Sequence, residues 1–383
     1  MIQANRPPVV VVFGGPSAEH DVSIVSGEAI AEALSGAGYR VRRTVIDLAG
    51  GWWWLPEAHR RNGRPQGDYD DPAALGAEGP LTPGGALDRL AGERPAPAVF
   101  IALHGPFGED GTIQALFEAA GLAYTGAGVA ASALAMDKIL FKRLARGAGL
   151  PVADWHEIRA DRWASDRELV LRELAAFARR TGDERLMVKP ARLGSSVGMS
   201  LAHTAAERAP AVDLALGYDS LVLAERYLPQ ARDLEVAVIG NDPEALEVFG
   251  PGEIFPGHEF YDYAAKYSAG LSRTTASPDL PEPLRLAVRS LAAVAYRLIG
   301  CEGFARVDFL LAGDQLLINE INTIPGFTPI SLFPTLPAQA GLDFGDVCRL
   351  VLELGLERHE RGLRRRLTPA DLPRSAAGGE EGR

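Results

Sequence analysis

The chain reads GFARVDF at residues 303–309 and, after a Gly-Asp turn at 313–314, LINEINTIPG at residues 317–326. Both runs are rich in apolar residues and are joined by a turn dipeptide, so they predict a β-hairpin. In this hairpin we expect Asp308 to lie opposite or nearly opposite Glu320.

The predicted hairpin brings acidic groups together. Side chains two apart on a strand share a face, so Arg306 accompanies Asp308 and Asn322 accompanies Glu320. Two carboxylates and an amide oxygen are hard ligands that suit Mg²⁺, and so few protein ligands leave coordination positions for substrate phosphates. The alternative is an edge hairpin with solvated charges, which the apolar character of both strand faces disfavours.

Composition is that of an ordinary globular protein. The 383 residues are enough for two or three domains, and 47% of them are hydrophobic while 23% are charged. There is no apolar stretch of about 18 residues that could span a bilayer, and residues 1–8 run into a strand without a signal-peptide pattern. We therefore expect a cytoplasmic protein that does not bind a membrane.

Charge and cysteine usage exclude further classes. A net charge of -11 argues against nonspecific binding to nucleic acid, but it is compatible with a local cationic pocket for a polyphosphate. Cys301 and Cys348 lie far apart and have no metal-ligand or redox spacing, so we expect two reduced, buried side chains.

Lysine is scarce in this chain. Of the 39 basic residues, the only lysines are Lys138, Lys142, Lys189 and Lys266. An ammonium is a compact point charge, unlike the planar guanidinium, so Lys138, Lys189 and Lys266 are candidates for phosphate or carboxylate contacts. Lys142 follows Lys138 by one helical turn, and we predict that it is a solvated surface residue.

The first 125 residues predict an open α/β sheet built from parallel units. Apolar runs at Val9–Phe13, Arg40–Ile46 and Ala98–Leu103 are the predicted strands, and helical spacing follows the first of them. Between them, residues 56–97 carry many Pro and Gly with weak periodicity, so we expect a long surface excursion. The three tryptophans at 52–54 are expected to anchor its base by burial.

The rest of the chain predicts two further α+β regions. A helix is expected over Met136–Ala148 and strands over Leu186–Lys189 and Val197–Leu201. The third region is expected to begin near Leu221, with its first strand at Leu221–Glu225, and to include the hairpin described above. The predicted domains are therefore 1–125, 126–218 and 219–372, followed by a disordered tail at 373–383.

A loop rich in glycine and serine, KPARLGSSVGMS at residues 189–200, lies between two predicted strands. Its glycines let backbone N–H groups approach anionic oxygens, Ser195 and Ser196 add hydroxyl donors, and Lys189 supplies charge. The order of residues is not that of a P-loop, and no helix follows. The loop is either a flap that covers phosphates or an ordinary hairpin turn. The predicted hairpin at residues 303–326 with its candidate Mg²⁺ ligands, called the metal hairpin below, favours the flap.

The segment Glu225–Leu228 ends an apolar strand and is suited to line a nucleotide cleft. Strand-edge backbone groups can read the adenine amine and ring nitrogen, while a carboxylate farther along accepts ribose hydroxyls. Asp233 is a second candidate for that carboxylate. Either acid could instead be an ordinary surface charge.

Six motifs in this order closely resemble the D-alanine:D-alanine ligase family of the ATP-grasp superfamily. They are GGPSAEHDVS at 14–23, HGPFGEDG at 104–111, MDK at 136–138, the flap, FYDYAAKY at 260–267 and NEINTIPG at 319–326. The resemblance extends from about residue 9 to about residue 355. It implies an ATP-grasp fold of three domains with ATP bound between the last two.

The resemblance also implies the reaction. One D-alanine carboxylate attacks the γ-phosphate of ATP, and the amine of a second D-alanine then attacks the acyl phosphate. Lys138, Lys189 and Mg²⁺ would neutralise phosphate charge and align the reactants. The family implies two Mg²⁺ ions, with Mn²⁺ as a possible substitute, and the implied ligands are Asp308, Glu320 and Asn322, with Glu320 bridging. Nucleotide contacts are implied for Ser196, Glu225, Arg226, Leu228 and Asp233.

Further roles follow from the same resemblance. Glu19 would pair with the ammonium of the first D-alanine, His104 would approach the same substrate, and Ser195 and Tyr267 would complete a hydrogen-bond chain with Glu19. A satisfied core imidazole is the alternative for His104.

The second half of the reaction is assigned in the same way. Arg306 and the backbone N–H of Gly326 would stabilise the oxyanion. Ser331 and Lys266 would bind the carboxylate of the second substrate. Residues Tyr261–Ser272 would form a lid that excludes water. Depsipeptide-forming relatives lack the tyrosine of the Lys266-Tyr267 pair, so Tyr267 favours an amine nucleophile.

Two departures and several alternatives accompany the resemblance. Arg226 stands where many relatives carry Lys, and Asp233 stands where Glu is expected. Another ATP-grasp carboxylate:amine ligase, a D-lactate ligase and a noncatalytic nucleotide-binding protein are the alternatives. A dehydrogenase is disfavoured because the G-x-G-x-x-G order is absent. The family also implies a homodimer that takes part in peptidoglycan precursor synthesis.

Overall fold

The computed structural model describes residues 6–256 and 272–364. Within these residues, hydrogen-bonded strands form three sheets of five, four and five strands. The predicted tail at 373–383 lies outside the described residues. None of the helices in the described ranges is long and apolar enough to cross a bilayer.

The N-terminal sheet has a parallel centre. Strand β1 pairs in parallel with β2 and β5, which confirms the three strands predicted there. Residues 9–13 of β1 are fully buried, as expected of a parallel strand covered on both faces. The strands are β1 Val9–Gly14, β2 Val41–Ile46, β3 Trp52–Trp54, β4 Glu78–Leu81 and β5 Ala98–Ile101, and the helices are α1 His20–Gly36, α2 Pro83–Gly92 and α3 Thr112–Ala119.

The segment 56–97 is more structured than the sequence predicts. It carries a 3-10 helix at Gln66–Asp70, the edge strand β4 and helix α2, and its Tyr69 and Leu90 are fully buried. These elements are short, so their hydrophobic periodicity is too brief to register in the sequence. The tryptophan anchor is confirmed for Trp52 and Trp54, which are buried on β3, whereas Trp53 is only partly buried. Strand β3 pairs with both β2 and β4.

The helix predicted over 136–148 is confirmed as α5 Lys138–Gly147, and a separate helix, α4 Val129–Met136, ends just before it. Asp137 separates them, and its carboxylate accepts hydrogen bonds of 3.0 Å from the backbone N–H groups of Ile139 and Leu140. This is an N-cap, so a new helix begins at Lys138. The apolar face of α5 packs into the same core as the C-terminal sheet.

The second sheet contains a strand that the sequence assigns to the third region. Leu221–Arg226 lies between two neighbours of the second sheet and pairs antiparallel with both of them. The predicted boundary at 218/219 is therefore wrong for this strand, because such long-range pairing leaves no local signal. The strands are β6 Trp155–Arg159, β7 Leu186–Pro190, β8 Ser200–Ala202 and β9 Leu221–Arg226, and the helices are α6 Ala160–Ser165, α7 Arg167–Thr181 and α8 Arg208–Leu216.

The third sheet is antiparallel and contains the predicted hairpin. Its strands are β10 Arg232–Ile239, β11 Glu247–Pro256, β12 Ser272–Thr275, β13 Phe304–Ala312 and β14 Gln315–Asn322. Helices α9 Glu282–Leu298, α10 Leu332–Ala338 and α11 Phe344–Leu363 complete the fold. In the hairpin, Asp308 pairs with Glu320 and Arg306 with Asn322, which confirms the predicted register. Phe309 then pairs with Ile318, so Asn319 is the extra residue of a β-bulge beside this pair.

Candidate active site

A cleft of about 990 Å³ is lined by residues of all three sheets and their loops. It collects every predicted site residue that the structure describes. These sixteen residues are Glu19, His104, Lys138, Lys189, Ser195, Ser196, Glu225, Arg226, Leu228, Asp233, Arg306, Asp308, Glu320, Asn322, Gly326 and Ser331. Lys266, Tyr267 and residues 261–271 of the predicted lid lie outside the described residues. The individual roles of all these side chains stay predictions.

At one end of the cleft, the flap meets the N-terminal domain. The Ser195 hydroxyl donates a hydrogen bond to Glu19 Oε1, although 176 residues separate the two in sequence. The Glu19 carboxylate is closely surrounded, since a Cβ on Gly105 or Gly194 would lie 2.5 or 2.6 Å from Glu19 Oε2. Only glycine permits this approach at either position. A desolvated carboxylate with a fixed hydrogen bond is suited to receive a substrate ammonium.

His104 lies behind this end of the cleft and is almost completely buried. Its Nδ1 donates to the Ile324 carbonyl at 2.9 Å, and its Nε2 lies 3.0 Å from the Ser26 hydroxyl. Burial alone would lower the pKa of His104, but the negative charge of Glu109, whose Oε1 lies 3.6 Å from His104 Nδ1, raises it. His104 is therefore a buried imidazole with hydrogen-bond partners, which is the alternative expected from the sequence. It also lines the cleft, and its hydrogen bond to Ile324 connects the N-terminal domain to the loop after β14.

The metal hairpin forms a compact charged cluster. The Arg306 guanidinium donates to both oxygens of Asp308 at 2.7 Å, and its Nε also lies 3.2 Å from Glu235 Oε1. Asn322 Nδ2 donates to Asp308 Oδ2 at 2.8 Å, which leaves the amide oxygen as the metal-ligating atom of Asn322. Burial by itself would lower the pKa of Arg306, but the adjacent Asp308 and Glu235 raise it well above its ordinary value.

The donors of the hairpin fit a magnesium ion that is shared with a substrate. Two carboxylates and one amide oxygen face the cleft, which is a hard oxygen set. In the described residues no cluster of three or more His, Cys, Asp or Glu side chains is arranged to hold a metal ion by itself. An ion bound here would therefore complete its shell with phosphate oxygens and water, as Mg²⁺ does in nucleotide sites.

Lys138 connects the flap to the metal hairpin. Its Nζ donates to the Leu193 carbonyl at 2.7 Å and lies 3.3 Å from Glu320 Oε2. The side chain begins at the first residue of α5, where Asp137 fixes the start of the helix. Its ammonium is therefore held at the centre of the cleft.

Lys142 is the residue for which the sequence prediction is wrong. Its side chain is completely buried, and its Nζ lies 2.5 Å from Glu225 Oε1, while Lys189 pairs with the other oxygen of Glu225. The surface assignment fails because α5 buries the face that contains Ile139, Lys142 and Ala145. Burial lowers the pKa of Lys142, and the two ammonium groups hold the pKa of Glu225 below its ordinary value despite burial.

Residues at the C-terminal end of β9 line another part of the cleft. Leu228 is buried against Ala153 and Leu317, and the Arg226 guanidinium lies 3.5 Å from Gln315 Oε1. Asp233 lines the same wall from β10. This strand-end geometry suits the edge of a flat heterocycle.

Ser331 and Gly326 lie together on the loop that follows β14. Ser331 Oγ accepts a hydrogen bond of 3.1 Å from the Thr328 backbone N–H and lies 2.8 Å from the Thr328 hydroxyl. A Cβ on Gly326 would lie 3.3 Å from Ser331 Oγ, so glycine keeps this loop close to the serine.

Sequence reasoning missed four residues that shape the site. Glu235 shares a strand face with Asp233, and the period of two along β10 could have revealed it. Glu109 lies in the HGPFGEDG motif, and burial raises its pKa. Gln66 reaches the cleft from the segment 56–97, for which no local signal exists. Lys142 could have been found because the chain has only four lysines.

Known proteins resemble this chain over most of its length. The family models for the N-terminus and the C-terminus of D-ala D-ala ligase match residues 8–127 and 144–353. D-alanine–D-alanine ligase of Chlorobaculum tepidum is 40% identical over 371 residues, which cover 92% of this chain and 98% of that protein. The Heliobacterium modesticaldum enzyme of the same name is 39% identical over 390 residues, with 96% and 99% coverage.

Solved structures give the same picture. The D-alanine-D-alanine ligase from Coxiella burnetii superposes with a TM-score of 0.73 at 31% identity, covering 94% of this chain and 97% of that one. The VanG D-Ala:D-Ser ligase from Enterococcus faecalis superposes with a TM-score of 0.76 at 27% identity, covering 92% and 100%. The fold is therefore that of the ATP-grasp enzymes. Within that class, the chain belongs to the D-alanine–D-alanine ligase family.

Proposed function

We propose that this protein is an ATP-dependent ligase that joins two D-alanines into D-alanyl-D-alanine and releases ADP and phosphate. The observation that carries the proposal is a single cleft with three chemically distinct parts. One part is the Glu19–Ser195 pair, the second is the metal hairpin, and the third is the lysine-lined wall at Lys138 and Lys189. The dipeptide would serve peptidoglycan precursor synthesis.

The phosphate end of the reaction needs charge neutralisation. Asp308, Glu320 and Asn322 would hold Mg²⁺, two ions in the form that the resemblance implies, with Mn²⁺ as a substitute. Bound there, the metal would supply Lewis-acid stabilisation of charge on the transferred phosphoryl group. Lys138, fixed between the flap and Glu320, would add a positive charge at the same place. Ser196 and the flap backbone would cover the phosphates.

The first D-alanine would bind through its ammonium to Glu19. Ser195 holds that carboxylate in place, and the ion pair of Glu109 and His104 lies beside it in the cleft. Its carboxylate would then point toward the metal hairpin and become an acyl phosphate. Such an intermediate hydrolyses readily in water, so the lid at 261–272 would close over it.

The second D-alanine would attack this acyl group with its amine. Its carboxylate would be bound by Ser331 and Lys266, and Tyr267 would complete the hydrogen-bond chain at Glu19. Arg306 and the Gly326 N–H would receive the oxyanion that develops. Because Glu235 and Asp308 both contact Arg306 Nε, its guanidinium needs little reorganisation during the reaction.

We also propose a cytoplasmic homodimer, as the family resemblance implies. Size-exclusion chromatography with light scattering would measure the mass of the purified protein. A mass near 82 kDa, about twice the 40.8 kDa of the chain, would support a dimer, and a mass near that of one chain would refute it.

The function is tested by supplying purified protein with Mg-ATP and D-alanine, measuring ADP and phosphate, and identifying the product by mass spectrometry. Parallel reactions with D-serine, D-lactate and L-alanine test the acceptor, because a D-Ala:D-Ser ligase shares this fold. The matched inactive control is Glu320→Gln. Formation of D-alanyl-D-alanine by the unmodified protein supports the proposal. A different product would replace it with another carboxylate:amine or D-lactate ligase, and nucleotide binding without turnover would indicate a noncatalytic protein.

A further inference from the structure

A buried chain of three charges runs behind the nucleotide wall of the cleft. Glu225 on β9 lies between two ammonium groups, with Lys142 of α5 on one oxygen and Lys189 of β7 on the other. Glu225 and Lys189 line the cleft, whereas Lys142 is completely buried behind them. Lys142 therefore touches the cleft only through Glu225.

This arrangement costs free energy that packing alone does not require. Taking an ammonium out of water is unfavourable, and a buried ion pair is often no better for stability than apolar side chains of similar size. Helix α5 fills its other buried positions with Ile139, Phe141 and Ala145. A lysine at one of the buried positions of α5 therefore requires an explanation other than stability.

The geometry supplies such an explanation. Two cations compete for one carboxylate, so Lys189 receives only one of the two oxygens of Glu225. An ammonium has three donors, and one that is only partly engaged keeps donors for a ligand in the cleft. Without Lys142, both oxygens of Glu225 would be free to attract Lys189 and draw its ammonium back into the wall.

We propose that Lys142 is a positioning residue that holds Glu225, and through it Lys189, in the orientation that binds nucleotide. The proposal rests on the function proposed above and deepens it at the same site. The helix geometry extends the idea, because Lys138 and Lys142 are one turn apart on α5, about 6 Å along the helix axis. One helix thus sets both the cation beside Glu320 and the buried cation behind Glu225.

The type of side chain also fits this role. Lysine carries a compact charge on a flexible stem, while arginine is a larger planar fork. The Lys142 side chain is completely buried. In a chain that otherwise uses arginine for almost all of its basic residues, lysine at 142 places one compact charge on a single oxygen of Glu225.

The first test is Lys142→Met, which keeps the length of the side chain and removes its charge. Binding of a nonhydrolysable ATP analogue is measured by calorimetry without D-alanine, next to steady-state kinetics and thermal unfolding. We expect nucleotide affinity to fall and KM for ATP to rise by roughly tenfold, while KM for D-alanine changes less than about twofold. The unfolding midpoint should change little, because Glu225 and Lys189 remain as a neutral pair.

A matched control and a double variant separate positioning from general damage. Arg143→Met alters the adjacent, exposed residue of α5 and should leave nucleotide affinity unchanged. In the double variant Lys142→Met with Glu225→Gln, the fold-loss of nucleotide affinity should be clearly less than the product of the fold-losses in the two single variants, since Lys142 acts only through Glu225. Independent losses that multiply would overturn the proposal, as would unchanged nucleotide binding in Lys142→Met.

The two proposals fail in different ways. If the unmodified protein forms no D-alanyl-D-alanine but binds the analogue, the calorimetric comparison still tests Lys142. If it ligates D-alanine and Lys142→Met binds nucleotide normally, only the positioning role is lost.

Discussion

Asp308 on β13 and Glu320 on β14 are direct cross-strand partners, and both carboxylates face the cleft from one antiparallel pair. Such partners have Cβ atoms roughly 5 Å apart, a spacing at which two like charges repel. Arg306 and Lys138 lie against them and offset that repulsion. The pair has the hard oxygen ligands that the proposed divalent cation requires.

Asp308→Asn should weaken the metal site without changing its size. We expect the maximal rate to fall about 100-fold, because charge stabilisation at the phosphoryl group is lost. The Mg²⁺ concentration for half-maximal rate should rise, as measured by titration at saturating ATP. Asp314→Asn, in the exposed turn of the same hairpin, is the control and should behave like the unmodified protein. An unchanged Mg²⁺ requirement in Asp308→Asn would place the metal elsewhere.

Ser195→Ala should impair binding of the first D-alanine. A hydrogen bond to a charged group contributes about 1.5–3 kcal/mol, so KM for the first D-alanine should rise about 10- to 150-fold. Initial rates at varied D-alanine and fixed ATP measure this effect. KM for ATP should stay within about twofold, and Ser165→Ala on the exposed end of α6 should change neither constant. An equal rise in both constants would mean that the flap has moved as a whole.

Glu235→Gln should lower kcat more than either KM. Arg306 would keep Asp308 but lose its second carboxylate, so its guanidinium could rotate away from the developing oxyanion. We expect kcat to fall roughly tenfold, measured at saturating substrates. Glu247→Gln, exposed on the neighbouring strand β11, is the matched control. A normal kcat with a raised KM for ATP would assign Glu235 to nucleotide binding instead.

Glu28→Gln should destabilise the N-terminal domain in a pH-dependent way. Burial raises the pKa of Glu28, but hydrogen bonds from His59 and Arg43 and the Arg43 charge lower it more. A lowered folded-state pKa stabilises at neutral pH, and that contribution disappears as pH falls through the folded pKa. Removing one partner of this buried pair should cost about 3–5 kcal/mol near pH 7.

Thermal unfolding across pH checks this prediction. The difference in midpoint between the unmodified protein and Glu28→Gln should be large at pH 7 and should shrink only below the ordinary glutamate pKa of 4.5, as the pH falls through the lowered folded-state pKa. Glu32→Gln, exposed on the same helix, should leave the midpoint unchanged across this range. A difference that is constant with pH would show that the loss is one of packing alone.

Tyr267→Phe should change the choice of nucleophile. Depsipeptide-forming relatives lack this tyrosine, so its hydroxyl is expected to favour an amine over an alcohol. We expect the ratio of D-alanyl-D-lactate to D-alanyl-D-alanine to rise in mixtures of both acceptors, measured by mass spectrometry. An unchanged ratio would count against this role.

The sequence predicts the site better than it predicts the architecture around it. The hairpin register follows from alternation and a turn dipeptide, both of which are local, and the structure confirms that Asp308 faces Glu320. The placement of β9 depends on which distant strands it pairs with, and no local pattern records that choice. The same holds for Gln66, which a loop carries into the cleft.

Lys142 shows a different limit of sequence reasoning. Helical spacing correctly predicts that Lys142 lies one turn after Lys138 on the same helix. Spacing does not tell which face of the helix is covered, and a charged residue is normally assigned to the solvent side. The partner that makes burial acceptable, Glu225, comes from a strand more than eighty residues away.

The scarcity of lysine gives the protein an unusual chemical property. Of the three lysines in the described part of the chain, Lys138 and Lys189 line the cleft and Lys142 is buried behind Glu225, and the fourth lysine is Lys266. Most proteins present reactive amines over their whole surface, whereas this chain presents guanidinium groups there instead. An amine-selective acylating reagent would therefore find few amines, and protection of Lys138 and Lys189 by bound nucleotide could be followed by mass spectrometry without introducing any label.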